Sequence, residues 1–226
     1  MTKTRTETLP LADGSLLRLT VAEPETAVRG GIVVLHEARG VTDSVRALVS
    51  DLATEGWLAV APHLYHRDGA DEVAGERVAD QLSRLTPSSV LEDSDAALAW
   101  LAARGVADDR IGVVGFDLGG AVAVKVATRR RVGAAVSVSA PGIIIPVAGQ
   151  LRPLVEAAPE LCCPWLGIYG GDAAAPVEEV EKLRDAAATA AVATDVVHYP
   201  AALDDDPDAA AEAWQRTLNW FDSHLR

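Results

Sequence analysis

The chain has 226 residues, 49% of them hydrophobic, with 33 acidic residues against 20 basic ones and a net charge of −13. That length suits one α/β domain over 1–226 with a sizeable core, and the charge argues against nucleic acid as a partner, because phosphate binding needs clustered Lys and Arg. No apolar run reaches the ~18 residues that cross a bilayer and the opening MTKTRTETLPLADGS lacks the apolar segment of a secretory signal, so a cytoplasmic protein without membrane association is expected.

In chain order, TETLP and SLLRLTVAEP flank the turn signal ADGS and read as an N-terminal hairpin. GGIVVLHE (30–37) is a buried strand by its length and β-branching. Thr42 or Asp43 then caps a helix running through Ala53, with Val45, Leu48 and Leu52 on one face. WLAVAPHLY (57–65) is the next strand. Residues 71–85 and 88–104 read as two helices broken at Pro87. Strand 111–116 leads into GFDLGG and a helix from Leu118 to Arg130. Strand 133–139 is followed by a Pro-rich loop over 140–163, which ends at the adjacent Cys162 and Cys163. That pair is poorly placed to bridge itself and fits a reducing compartment. PWLGIYGG (164–171) is a strand, 176–189 a helix and TDVVHYP (194–200) the last strand. The terminal helix starts near Pro207, a favoured first-turn residue, and ends at His224-Leu225.

Strands alternating with helices imply an α/β fold with a doubly wound, mostly parallel sheet. Sites in such sheets form beyond the carboxyl ends of the strands. That rule selects Glu37, the stretch His63 to His66, Asp117, Asp172 and the loop after Tyr199. Gly115-Phe116-Asp117-Leu118-Gly119-Gly120 has the spacing of a nucleophile elbow, a turn that lifts one side chain out of a strand end, normally a Ser or Cys. Here the lifted side chain is an aspartate.

The ordered set VVLHEARGVTD, GWLAVAPHLYHR, GVVGFDLGGAVA, PWLGIYGGDAAAPV and AWQRTLNWFDSHL resembles the dienelactone hydrolases, a family within the α/β-hydrolase superfamily, over roughly 5–225. The resemblance implies an α/β-hydrolase fold whose chemistry is carried by an elbow Cys, an Asp after a later strand and a His in the loop after the last one. A Glu after the first long strand touches the thiol. Glu37 falls in the Glu position and Asp172 in the triad Asp position. Asp117 stands where the Cys belongs, and in YPAALDDDP, where the His belongs, Asp204 falls nearest. The triad is therefore degenerate. Backbone N–H groups of Leu118 and Ala38 are the expected oxyanion donors. Arg67, Arg77 and Arg84 lie where the family places an arginine for a substrate carboxylate, Tyr65 is expected to line the cleft, and His63 and His66 are the candidates for a substitute base. No cofactor and no metal is expected; the partner is a small-molecule substrate or ligand, and the chain is expected to be a monomer or homodimer.

Asp117 at a helix N-terminus faces free N–H groups that favour an anion, while a neighbouring Glu37 acts the other way, because close carboxylates tend to share a proton. Three uses stay open at this point. Asp117 can be a nucleophile, as in haloalkane dehalogenases and epoxide hydrolases of this fold, provided a histidine activates the water that clears the ester. Asp117 and Glu37 can run acid–base chemistry without covalent attack, as in a cyclase, isomerase or dehydratase. Or the cleft binds a small molecule without catalysis.

Overall fold

The computed structural model describes residues 3–147, 151–171 and 175–226. Eight strands form one sheet: β1 (Arg5–Pro10), β2 (Leu16–Ala22), β3 (Gly30–Leu35), β4 (Trp57–Pro62), β5 (Ile111–Phe116), β6 (Ala134–Val138), β7 (Trp165–Tyr169) and β8 (Thr194–His198). Their spatial order is β1-β2-β4-β3-β5-β6-β7-β8. The hairpin β1-β2 pairs antiparallel and joins β4 antiparallel, and every other pairing is parallel. Three strands inside the sheet, β3, β4 and β7, are buried at every residue. A strand covered by helices on both faces is an unbroken apolar run for that reason.

Seven helices cover the sheet among the described residues: α1 (Asp43–Thr54), α2 (Val78–Arg84), α3 (Pro87–Ala102), α4 (Leu118–Ala127), α5 (Leu154–Ala157), α6 (Val177–Ala187) and α7 (Pro207–His224). α1 and α7 pack on one face with Ile32, Val34, Val114, Val136 and Ile168. α3, α4, α5 and α6 pack on the other with Val33, Leu35, Val113 and Trp165. The doubly wound sheet and the α/β-hydrolase fold read from the sequence are both present.

Helix starts follow local chemistry. Thr42 accepts from Val45 N–H at 3.4 Å and caps α1, and Asp206 accepts from Asp208 and Ala209 N–H, each at 3.1 Å, ahead of Pro207 in α7. Pro87 does not break a helix but opens α3. Its missing N–H costs nothing in the first turn, and Thr86 and Ser89 form a reciprocal capping box around it. The helix expected over 71–85 shrinks to α2, because residues 71–73 are extended. Val41 N–H donates to Asp71 O and Val73 N–H to Arg39 O, each at 2.9 Å, so this segment pairs with the turn after β3. The Pro-rich loop 140–163 holds the short helix α5.

Among the described residues one acidic side chain is fully buried. Asp93 on α3 is 0% exposed and receives Arg67 Nη1 at 2.9 and 3.0 Å. Stripping the counter-ion from a buried carboxylate is costly, whereas an exposed pair contributes little. Arg67→Ala is therefore expected to lower the unfolding free energy by about 3 kcal/mol in urea melts, and Arg84→Ala, which breaks the exposed pair with Asp68, by less than about 0.5 kcal/mol. Equal effects from the two would contradict this role of Asp93.

Candidate active site

The elbow joins β5 to α4. Asp117 sits at φ 48° and ψ −120°, a conformation that non-glycine residues rarely adopt. Its surroundings hold it there. Asp117 N–H donates to Val138 O at 2.9 Å, and its carbonyl accepts from Gly120 N–H at 2.8 Å and Ala121 N–H at 3.3 Å. The flanking glycines make the approach feasible: a Cβ on Gly115 would stand 1.9 Å from Gly119 O, and one on Gly119 would stand 2.1 Å from Leu35 O. The G-x-D-x-G-G spacing thus records how closely the first turn of α4 lies against β3 and β5.

The Asp117 carboxylate reaches across to the turn after β3, where Oδ2 accepts from Ala38 N–H at 3.2 Å. Ala38 N–H is one of the two expected oxyanion donors, so an aspartate oxygen now uses it. The same peptide group is fixed from behind, since Glu37 O lies 2.7 Å from His36 Nδ1. Leu64 N–H donates to His36 Nε2 at 3.1 Å. With Nε2 accepting, the ring proton belongs on Nδ1 and goes to Glu37 O. Tyr65 O–H donates to Ala38 O at 2.7 Å and its ring meets His36 edge-on at 5.0 Å. Burial, with the Asp117 charge adding to it, raises the Tyr65 pKa and keeps the phenol a donor. The other expected donor, Leu118 N–H, lies in the first turn of α4, where helical bonding leaves N–H groups open.

Beside the elbow is a cavity of about 430 Å³. Asp117, Glu37 and Asp204 all line it, together with Ser139 after β6. Val45 and Leu48 of α1, Phe116 and Trp214 of α7 supply apolar wall. Glu37 Oε1 accepts from Thr42 O–H at a long 3.4 Å. Asp172 lies outside the described residues. Ser139 does not stand out in the sequence. It adopts φ 49°, the only other positive-φ non-glycine among the described residues, and the strand-end rule applied to β6 would have found it. Trp214 is a second residue that sequence reasoning misses, since nothing in the α7 sequence separates a core tryptophan from a cavity wall.

The histidines and arginines expected near the cleft stand elsewhere. His63 lies between Thr20 Oγ1, 2.8 Å from its Nε2, and the Asp71 carboxylate at its Nδ1, and both His63 and Thr20 are 2% exposed. His66 is buried with Nε2 3.1 Å from Asp93. Strand β4 ends at Pro62, before either of them, and the turn that follows points them into the packing under the hairpin and α3. His198 is in β8, opposite Tyr169, and His224 packs against Trp220 at the end of α7 with the ring planes tilted by 55°. All five histidines of the chain are accounted for and none lines this cavity. Arg67 holds Asp93 and Asp13. Arg84 pairs with Asp68 at 3.0 Å and, with Arg77, borders a separate surface pocket near α2. Neither substitute base nor any of the three arginines is thus brought to Asp117. Tyr65 comes close to the elbow through the Ala38 peptide, although it is not part of the cavity wall.

A model of the dienelactone hydrolase family matches residues 17–225. A carboxymethylenebutenolidase of Rhodococcus opacus is 30% identical over 223 residues, which cover 90% of this chain and 85% of that protein. A Yersinia pestis protein named "Putative carboxymethylenebutenolidase" is 30% identical over 239 residues, covering 96% and 88%. A crystal structure from Klebsiella pneumoniae, described as "Putative Dienelactone Hydrolase", superposes with a TM-score of 0.89 at 28% identity and covers 98% of each chain.

Complete burial, opposed only in part by the Glu37 carbonyl, holds His36 down at about 4. The unfolded chain takes up a proton below about pH 6.5 that native His36 declines until near pH 4. This group therefore stabilises the fold fully above pH 6.5 and loses on the order of 3 kcal/mol of that as pH falls toward 4. In NMR the His36 ring protons should titrate near pH 4, and urea stability should decline through that window; a His36 titration at or above pH 6 would refute a neutral ring bridging Leu64 and Glu37.

Proposed function

The chain belongs to the dienelactone hydrolase family, and from that premise we propose that its elbow cavity acts on a small ester- or lactone-like molecule by proton transfer through carboxylates, in place of the covalent thiol cycle of a Cys-His-Asp triad. One observation carries the reading: the elbow side chain is a carboxylate seated on Ala38 N–H, while none of the five histidines lines the cavity. An ester on Asp117 would need an imidazole-activated water to be cleared, so a covalent cycle would stall after one event. Direct proton transfer needs no such base. Only the lactone part of the substrate class follows the Rhodococcus relative, whose name specifies a carboxymethylene-bearing butenolide, an unsaturated lactone; the carboxyl substituent is not carried over.

The step balances simply. Asp117 takes a proton from the carbon next to the ring carbonyl, the electron pair moves onto the carbonyl oxygen, and Leu118 N–H stabilises the enolate. The resulting carboxylic acid, or Glu37 after exchange between the two, returns the proton to a different carbon, which isomerises the ring. Glu37 and Asp204 border the same cavity and are the partners in that exchange. Tyr65 keeps the Ala38 peptide in place throughout.

A second reading has its own support. With Ala38 N–H already occupied by Asp117 Oδ2, a substrate oxygen has one backbone donor fewer, and this favours binding without turnover. Exchange of lactone ring protons in D2O, followed by NMR with α-angelica lactone, separates the two. Wild-type protein is expected to catalyse exchange, with Asp117→Asn reducing it at least about 100-fold and 4-nitrophenyl acetate hydrolysis staying near the buffer rate. Absence of exchange would favour the binder. A stable ester on Asp117 after exposure to an alkyl halide or epoxide, read as a mass increase, would restore a covalent route.

A further inference from the structure

The cavity wall carries a charge pattern unlike the one the family resemblance implies. Glu37, Asp117 and Asp204 border it, and no Lys or Arg does among the described residues. Positions 148–150 and 172–174 carry neither residue type. The arginines that the resemblance pointed to stand elsewhere: Arg67 pairs with buried Asp93, Arg84 pairs with Asp68, and Arg77 borders the pocket beside α2. Arg46 of α1 pairs with Glu72 at 2.9 Å and Arg216 of α7 with Glu212 at 2.7 Å, while Arg39, two residues beyond Glu37, is exposed and does not line the cavity. Basic side chains gather instead around a different cavity, where Lys125, Arg129 and Arg152 converge between α4 and α5.

The three carboxylates are themselves poorly supplied with donors. Asp117 has the Ala38 N–H and Glu37 the distant Thr42 hydroxyl. Among the described residues none of the three stands within an ion pair, although the chain forms many ion pairs elsewhere on its surface. A carboxylate offers about four acceptor sites, so open acceptors face a space large enough for a fragment-sized organic molecule. The acids alone would not define a site; here they border the cavity set by the strained elbow, next to the rings of Phe116 and Trp214. Aromatic faces and unpaired carboxylates attract the same kind of ligand, one carrying positive charge, and both penalise a carboxylate entering among them.

We propose that the ligand of the elbow cavity is cationic, a small ester- or lactone-like molecule bearing a protonated amine, and that the site excludes carboxylate-bearing analogues; this rests on the reading of the cavity as the place where the chain does its chemistry. Inverted charge preference is the specificity counterpart of an anion at the elbow: of the arginines that the resemblance implies for a substrate carboxylate, Arg67 and Arg84 stand in ion pairs away from the cavity.

Three probes sharing one skeleton test this: 3-phenylpropylamine, 3-phenylpropanol and 3-phenylpropionate, titrated by calorimetry near neutral pH, with the Trp214 indole N–H followed by NMR to place the binding. The amine is expected to bind at least about tenfold more tightly than the propionate. Raising salt from about 20 to about 500 mM should erode that preference and leave the alcohol unaffected. Asp204→Asn, on an exposed loop, and Glu37→Gln should each weaken the amine several-fold and not the alcohol. Equal binding of the three probes, or tighter binding of the propionate, overturns the charge preference and leaves the proton-transfer reading to stand or fall on lactone exchange. Failure of every probe to shift the Trp214 signal overturns both. Amine preference without any lactone exchange keeps the ligand class and removes the chemistry.

Discussion

The close approach of the first turn of α4 to strand β3 governs the rest of this molecule. Gly119 lies so near the Leu35 carbonyl that a single methyl group would collide with it. This contact leaves the chain no ordinary route from β5 into α4, and Asp117 takes a backbone conformation costing on the order of 1–3 kcal/mol. That strain is offset by hydrogen bonds on both sides of the residue. The geometry also directs the carboxylate: from a left-handed turn at the strand end, the side chain crosses to the Ala38 amide. A chain of polar contacts then runs from Leu64 through the neutral His36 ring and the Glu37–Ala38 peptide to Asp117. The Leu64 and His36 end of this chain is fully buried, where such bonds are strengthened.

His36 and His63 serve this protein as buried neutral connectors. His36 ties β3 to the start of the loop after β4, and His63 ties β2 to the segment carrying Asp71. Burial lowers the pKa of both, most strongly for His36 and more mildly for His63, where the Asp71 contact opposes it. A ring held neutral by packing and saturated at both nitrogens has no lone pair left for a water molecule.

Much of the fold is legible in the sequence because its signals are local. Continuous apolar runs mark β3, β4 and β5, and Thr42 and Pro207 mark helix starts correctly. The strand-end rule alone selects Glu37, Asp117 and the loop that holds Asp204, and all three acids border one cavity. Failures come where a distant partner decides the outcome. Residues 71–73 are extended since they pair with the turn at Gly40, some thirty positions earlier, and no helical periodicity can reveal that. His66 and Arg67 resemble cleft residues by position, but Asp93, a buried acid on α3, draws both inward. Pro87 is ambiguous in principle, because the same ring that ends one helix is welcome at the start of another.

The row formed by the Thr20 hydroxyl, the His63 ring and the Asp71 carboxylate has the same chemical order as a hydrolase's working trio, hydroxyl to imidazole to acid. It sits between the hairpin and β4, with the hydroxyl walled in. A bound acyl group would have nowhere to go, so the arrangement acts as a rivet holding the N-terminal ribbon to the sheet. Proximity of functional groups is thus a matter of architecture first; reactivity begins only where a strand end opens onto empty space.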